Sequence, residues 1–223
     1  MDQMPHDFYV NKWDRARIPI KFRGMRFDDY SHPHPTGRMA LANARNFVEN
    51  FTNHYVSAKR AKAGRFPEDR SDIGKGMLLY GPNGTRKTTL ASITLTEIIY
   101  KYPQADVLYI RMADWKRAMT DSFANEVTER TVQARELLRH VELAHFLVLD
   151  DMGQEHRTAT GFTEKEFHEL LRIRYESARP TEVTTNVDEK SFGRIYGESF
   201  DSFRHDAFNL HPILGDDTRL LKD

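Results

Sequence analysis

The chain has no cysteine among its 223 residues, which removes disulfide frameworks, thiolate nucleophiles and cysteine-based zinc sites together. It also lacks any run approaching the roughly 18 apolar residues of a membrane-spanning helix. The N-terminus, Met1-Asp2-Gln3-Met4-Pro5-His6-Asp7, has neither the basic nor the apolar stretch of a secretory leader, so a soluble, cytoplasmic protein is expected. Net charge is missing too. The formal balance is +0, with a modest basic excess in the first third, and such a balance neither requires nor excludes a nucleic-acid partner. Internal repeats and low-complexity tracts are absent. What remains, 39% hydrophobic, is enough for one large domain around one core.

The most informative stretch is Gly81-Pro82-Asn83-Gly84-Thr85-Arg86-Lys87-Thr88-Thr89, between the apolar run Met77-Leu78-Leu79-Tyr80 and a helical pattern from Leu90. It reads as a phosphate-binding loop. Backbone N–H groups converge on phosphate oxygens, Lys87 reaches the β/γ oxygens, and the Thr88 hydroxyl holds Mg²⁺. The full pattern places glycine before the lysine, where this chain has Arg86. A side chain there brings charge attraction but threatens to displace the N–H that must face the phosphate. Intact and impaired nucleotide binding therefore both stand as readings.

Around the loop the chain alternates strands and helices. Residues 1–36 read as an extended or irregular segment, ending in Ser31-His32-Pro33-His34-Pro35, whose histidines read as a solvated turn rather than metal ligands. Residues 37–223 read as the folded domain. Thr36 is the expected N-cap of a helix carrying Leu41, Ala44, Val48, Phe51 and Tyr55 on one face. Lys59, Arg60 and Lys62 follow, either as a solvated helix end or as a contact to a nucleic-acid backbone. Strands are expected at 76–80, 107–110, 146–149 and 182–185, with a short last one within 207–214. Strand, loop, helix, strand opens a parallel βαβ unit. Asp114 is the expected cap of a helix ending near Phe123, and a further helix is expected over Ser191–Phe203 despite Gly193 and Gly197. The run Phe146-Leu147-Val148-Leu149 ends in Asp150-Asp151. In a nucleotide-hydrolysis site the first carboxylate holds the metal and the second orients or activates water. Asn186, after the strand Glu182-Val183-Thr184-Thr185, is either a turn residue or an amide that positions that water. Arg194, Arg204 and Arg219 are the C-terminal cations available to reach phosphates.

Taken together these motifs resemble AAA+ ATPases, specifically the DnaC/DnaI-type helicase loaders and their IstB-like transposition relatives, over roughly residues 13–223. The resemblance is carried by Ile18-Pro19-Ile20-Lys21-Phe22-Arg23-Gly24-Met25-Arg26-Phe27-Asp28-Asp29-Tyr30, by Gly76 to Thr85, by Leu147 to Gly153 and by Arg179-Pro180-Thr181-Glu182-Val183-Thr184-Thr185-Asn186. It implies an α/β P-loop NTPase fold with three layers, a five-stranded parallel sheet and no separate C-terminal lid domain. It implies ATP and Mg²⁺ as cofactors, with the loop residues and Arg219 at the nucleotide, Thr88 and Asp150 at the metal, Asp151 as base, Asn186 as water sensor and Arg204 as a substitute arginine finger. It also implies a ring or spiral oligomer, a hexameric DnaB-type helicase partner and single-stranded DNA, in a bacterial cell or phage-infected bacterium. Phe123 falls where such proteins use an aromatic on DNA, and a core phenylalanine is the equal alternative. A loader, a non-catalytic adaptor and a transposition helper are the functions left open.

Overall fold

The computed structural model describes residues 4–124, 126–153 and 162–217. Five strands, β1 (Gly76–Tyr80), β2 (Val107–Arg111), β3 (Phe146–Met152), β4 (Thr181–Thr185) and β5 (Phe208–Pro212), form one sheet in the order β2-β3-β4-β1-β5. Every pairing is parallel. Parallel neighbours need crossovers, and helices supply them on both faces. The helices are α1 (His6–Arg15), α2 (Pro35–Glu49), α3 (Phe51–His54), α4 (Ala58–Lys62), α5 (Lys87–Lys101), α6 (Met112–Ser122), α7 (Glu129–Leu143), α8 (Phe162–Glu176), α9 (Phe192–Tyr196) and α10 (Glu198–Ala207).

The near-continuous apolar strands follow from burial on both sides. Along β3, Phe146 and Val148 join a core with α1, α2 and α5, while Leu147 and Leu149 join a second core with α7, α8 and α10. The expected single core is thus two layers separated by the sheet.

Several local expectations are corrected. Residues 1–36 are not simply extended: α1 and two short 3₁₀ turns, Ile20–Phe22 and Phe27–Asp29, occupy much of them. Trp13, Ala16, Ile18, Phe27 and Tyr30 are buried in the first core. The Ala16 carbonyl accepts a hydrogen bond from the Tyr109 N–H (2.8 Å), which closes part of the exposed edge of β2. The N-cap of α2 is His34 rather than Thr36, with Pro35 at the first helical position, and the helix gives way at Asn50 before the short α3. Arg111, not Asp114, is the N-cap residue of α6. Asp114 lies in its first turn and pairs with Arg111 (2.8 Å). The helix expected over Ser191–Phe203 is split at Gly197 (φ 88°) into α9 and α10.

Candidate functional site

The loop from Gly81 to Arg86 joins β1 to α5 at the C-terminal edge of the sheet, the usual ligand-binding edge of open α/β folds. Its tightness explains its glycines. The stretch after β5 lies across it, so that a Cβ on Gly81 would stand 2.2 Å from the Ile213 carbonyl oxygen, and one on Gly84 (φ 75°) 1.9 Å from the Asp217 carboxylate. Arg86 takes the left-handed conformation itself (φ 61°, ψ 25°), at roughly 1–2 kcal/mol for a residue with a Cβ. Its guanidinium reaches the Ser31 carbonyl (3.1 Å) and hydroxyl (3.2 Å). At this position the backbone is strained and the side chain is anchored on the N-terminal segment. Lys87 Nζ donates to the carbonyls of Gly81 (2.8 Å) and Pro82 (2.6 Å), and the Thr85 hydroxyl donates to the Pro82 carbonyl (2.9 Å). The N-cap residue Arg86 makes no side-chain capping bond among the described residues, and the helix dipole of α5 favours an anion at this end.

Facing this loop, the Asp150 carboxylate accepts three hydroxyls: Thr88 (2.9 Å) and Thr184 (2.7 Å) on Oδ1, and Tyr109 (2.7 Å) on Oδ2. Burial, then the Asp150 charge, raises the Tyr109 phenol far above its ordinary pKa, so the phenol stays a proton donor. Consecutive residues of a regular strand point to opposite faces, yet Asp150 and Asp151 both line the cleft. The pairing register of β3 and β4 shifts between Leu149 and Met152, and Asp151 adopts φ 64°. This bulge brings its carboxylate round to the cleft. The Thr184 hydroxyl accepts from the Asp151 N–H (2.9 Å), and Asn186 Nδ2 donates to Asp151 Oδ1 (3.2 Å).

The cleft measures about 740 Å³. Its floor holds Lys87, Thr88, Asp150 and Asp151, and its remaining wall is N-terminal, with Lys21, Phe22, Met25, Asp29 and Tyr30. Arg26 fastens that wall to α5 through a two-pronged pair with Glu97 (2.8 and 2.9 Å), and Glu97 also accepts the Phe27 N–H (3.0 Å). His32 is not a solvated turn residue: it is buried, stacks on Tyr30 and accepts the His34 N–H on Nδ1 (3.2 Å). Desolvation is the main reason its pKa is lowered, and the contact of Nδ1 with the His34 backbone opposes the shift in part.

Thus Thr88, Asp150, Asp151 and Asn186 gather with residues 83–87 and Thr89 in one cleft. The other candidates lie elsewhere. Arg204 is 3% exposed, bound to Asp201 (2.5 Å) and stacked over the Phe192 ring, a buried position within this chain that does not line the cleft. Phe123 is 63% exposed just after α6, which excludes the core alternative. Lys59 and Lys62 are exposed on α4, while Arg60 donates to the Thr52 carbonyl (2.8 Å). Arg219 lies outside the described residues. Tyr109 and Thr184 escaped sequence reading, and His32 was read as a solvated turn residue. For Tyr109 the available signal was a hydroxyl within the otherwise apolar run Val107–Ile110 of the strand paired with β3.

A parallel sheet with helices on both faces, a phosphate-type loop between β1 and α5, and a carboxylate at the tip of β3 define the AAA+ type of P-loop NTPase fold. Among solved structures the fold is similar to the DnaC helicase loader (TM-score 0.65, 22% identity, covering 87% of this chain and 99% of that one). DnaI is similar to the same degree (TM-score 0.64, 18% identity, 87% and 94%). Replication initiator DnaA, in a structure bound to AMPPCP and single-stranded DNA, matches with a TM-score of 0.63 at 16% identity over 89% of this chain and 51% of that one. No protein-family model and no curated protein matches the sequence. The fold is therefore the one that the DnaC/DnaI resemblance implied.

Proposed function

We propose that this chain is an ATP-dependent loader that helps to place a hexameric, DnaB-type ring helicase on single-stranded DNA during replication, acting as a ring or spiral of copies. The observation that carries the reading is the convergence of Lys87, Thr88, Asp150, Asp151 and Asn186 on one cleft. In this reading the loop amides and Lys87 bind the phosphates of ATP, Asp151 takes a proton from the attacking water on its carboxylate, and Asn186 holds that carboxylate in position. The Thr88 hydroxyl and the Asp150 carboxylate, 2.9 Å apart, are hard oxygen donors suited to Mg²⁺ that shares its shell with phosphate and water. Thr88 and Asp150 would hold such an ion, which would supply neutralisation of charge on the phosphates. Phe123 stacks on bases, a sequence-tolerant contact of about 1–3 kcal/mol per base, and Lys59 and Lys62 add contacts to the nucleic-acid backbone.

A second reading, a non-catalytic assembly or adaptor protein of the same fold, is favoured by the burial of Arg204 and the arginine at position 86. The experiment titrates the full chain with a fluorescent ATP analogue and Mg²⁺, follows hydrolysis with and without single-stranded DNA, and tests co-purification with a hexameric helicase. Lys87→Ala is expected to weaken nucleotide binding on the order of tenfold to a hundredfold, as loss of a charged donor does. Binding and helicase capture without turnover would select the adaptor. Absence of both nucleotide binding and helicase capture would sink both readings.

A further inference from the structure

The N-terminal wall of the cleft is tied to α5 at two places of unequal strength. At its inner end, Arg26 and the Phe27 N–H make three hydrogen bonds to Glu97, with the Arg26 guanidinium also stacked on Tyr100 (4.4 Å). At its outer end, Ser31 accepts the Arg86 guanidinium on its carbonyl and hydroxyl. Ser31 and Arg86 are both exposed. The two ties sit eleven residues apart along one helix, about 16 Å at the α-helical rise. Between them lie the wall residues Asp29 and Tyr30, which face the cleft.

We propose that Arg86 is a positioning residue: its guanidinium on Ser31 latches the wall Lys21–Ser31 to the phosphate loop and thereby sets how fast nucleotide leaves. The inference rests on the cleft being a nucleotide site, as argued above. The chemistry follows from the geometry. A left-handed residue directly before the lysine sends its side chain to the N-terminal segment, where a glycine would have nothing to send. The latch therefore belongs to the arginine, and the backbone strain at φ 61° is carried together with it. The Glu97 tie acts as the fixed end, and the solvent-facing Ser31 tie as the end that opens.

The test follows release of N-methylanthraniloyl-ATP with Mg²⁺ from the full chain by stopped flow, together with hydrogen exchange of amides 20–31 in the nucleotide-free protein. Arg86→Asn keeps a residue that tolerates the left-handed conformation while removing the guanidinium. It is expected to speed release about five- to tenfold, the loss of one or two charge-assisted hydrogen bonds at a solvated site. Ser31→Ala, which leaves the carbonyl acceptor, should have a smaller effect and none in the Arg86→Asn background. Arg86→Lys should recover part of the slow release. Amides 20–31 should exchange faster in Arg86→Asn. Unchanged or slower release in Arg86→Asn, or additive effects of the two substitutions, overturns the latch. A parent chain that binds no nucleotide overturns the nucleotide reading and with it the release role, whereas unchanged exchange of 20–31 overturns the tie to the loop whatever the nucleotide result.

Discussion

Glu182 stands in the middle of β4, fully buried, and neither of its carboxylate oxygens has a hydrogen-bond partner among the described residues. The Thr94 hydroxyl spends its proton on the Leu90 carbonyl (2.9 Å). Burial pushes the Glu182 carboxyl up to about 8, and the charge of Asp150 adds to the rise. Because the folded value exceeds the unfolded one, the folded state binds the extra proton. Its stabilising effect is complete below about pH 4.5 and is lost as pH rises to about 8. We predict that unfolding free energy falls by about 1 kcal/mol per pH unit across that window and that Glu182→Gln flattens the fall, as measured by urea denaturation at pH 5.5 and 8. An identical slope in both proteins would refute the assignment. Such a residue shows how legibility varies along this chain. Lys87, Thr88, Asp150 and Asp151 could be read in advance because each motif is contiguous and its chemistry local. Glu182 and Tyr109 gain their meaning only from which face of which strand they occupy beside Asp150, a relation between distant segments that no local pattern carries.

Arg174 does for three elements what a cap does for one. From α8 its guanidinium, wholly buried, donates to the carbonyls of Val141 (2.7 Å), Glu142 (3.0 Å) and Ala144 (2.9 Å) at the end of α7. It also donates to the Pro180 carbonyl (3.1 Å) and the Thr181 hydroxyl (2.8 Å) at the start of β4. Arg174→Met leaves those acceptors unpaired and is expected to destabilise by about 3 kcal/mol or more. Arg174→Lys should recover little, since an ammonium cannot reproduce the planar fork. Denaturant midpoints of the two variants check this, and a lysine variant as stable as the parent would refute it. At this scale the apolar strands were readable and helix α5 nearly so. Helix α1 was not: Tyr9, Val10 and Trp13 do recur at helical spacing, but the polar and proline content of the first 36 residues led the whole segment to be read as irregular. Helices α9 and α10 were read as one because a glycine is tolerated in a helical pattern, and the positive φ of Gly197 that separates them has no sequence marker.

The N-terminal thirty residues are part of the molecule's core rather than an appendage, since they bury Trp13, Ile18, Phe27 and Tyr30 and supply one wall of the cleft. Each such side chain contributes about 1.5–3 kcal/mol by burial, which in sum rivals the total stability of a domain. Deleting residues 1–30 is therefore predicted to abolish cooperative thermal unfolding, as followed by circular dichroism. A truncated chain melting as the parent does would contradict this account. By contrast Phe123→Ala, at an exposed position, should leave the melting temperature unchanged while lowering single-stranded DNA affinity roughly fivefold or more, read by fluorescence anisotropy.

The strand order carries a consequence for synthesis. β1, which ends in the phosphate loop, pairs among the described residues with β4 and β5 alone, both of which are made after β2 and β3. Until they emerge, Met77, Leu78 and Leu79 have no hydrogen-bonding neighbours, and the loop has no scaffold to shape it. Such non-local pairing makes for slow folding and an exposed intermediate. The segment around the loop should thus gain protease resistance on a nascent chain only after β4 and β5 have formed, later than its place in the sequence suggests.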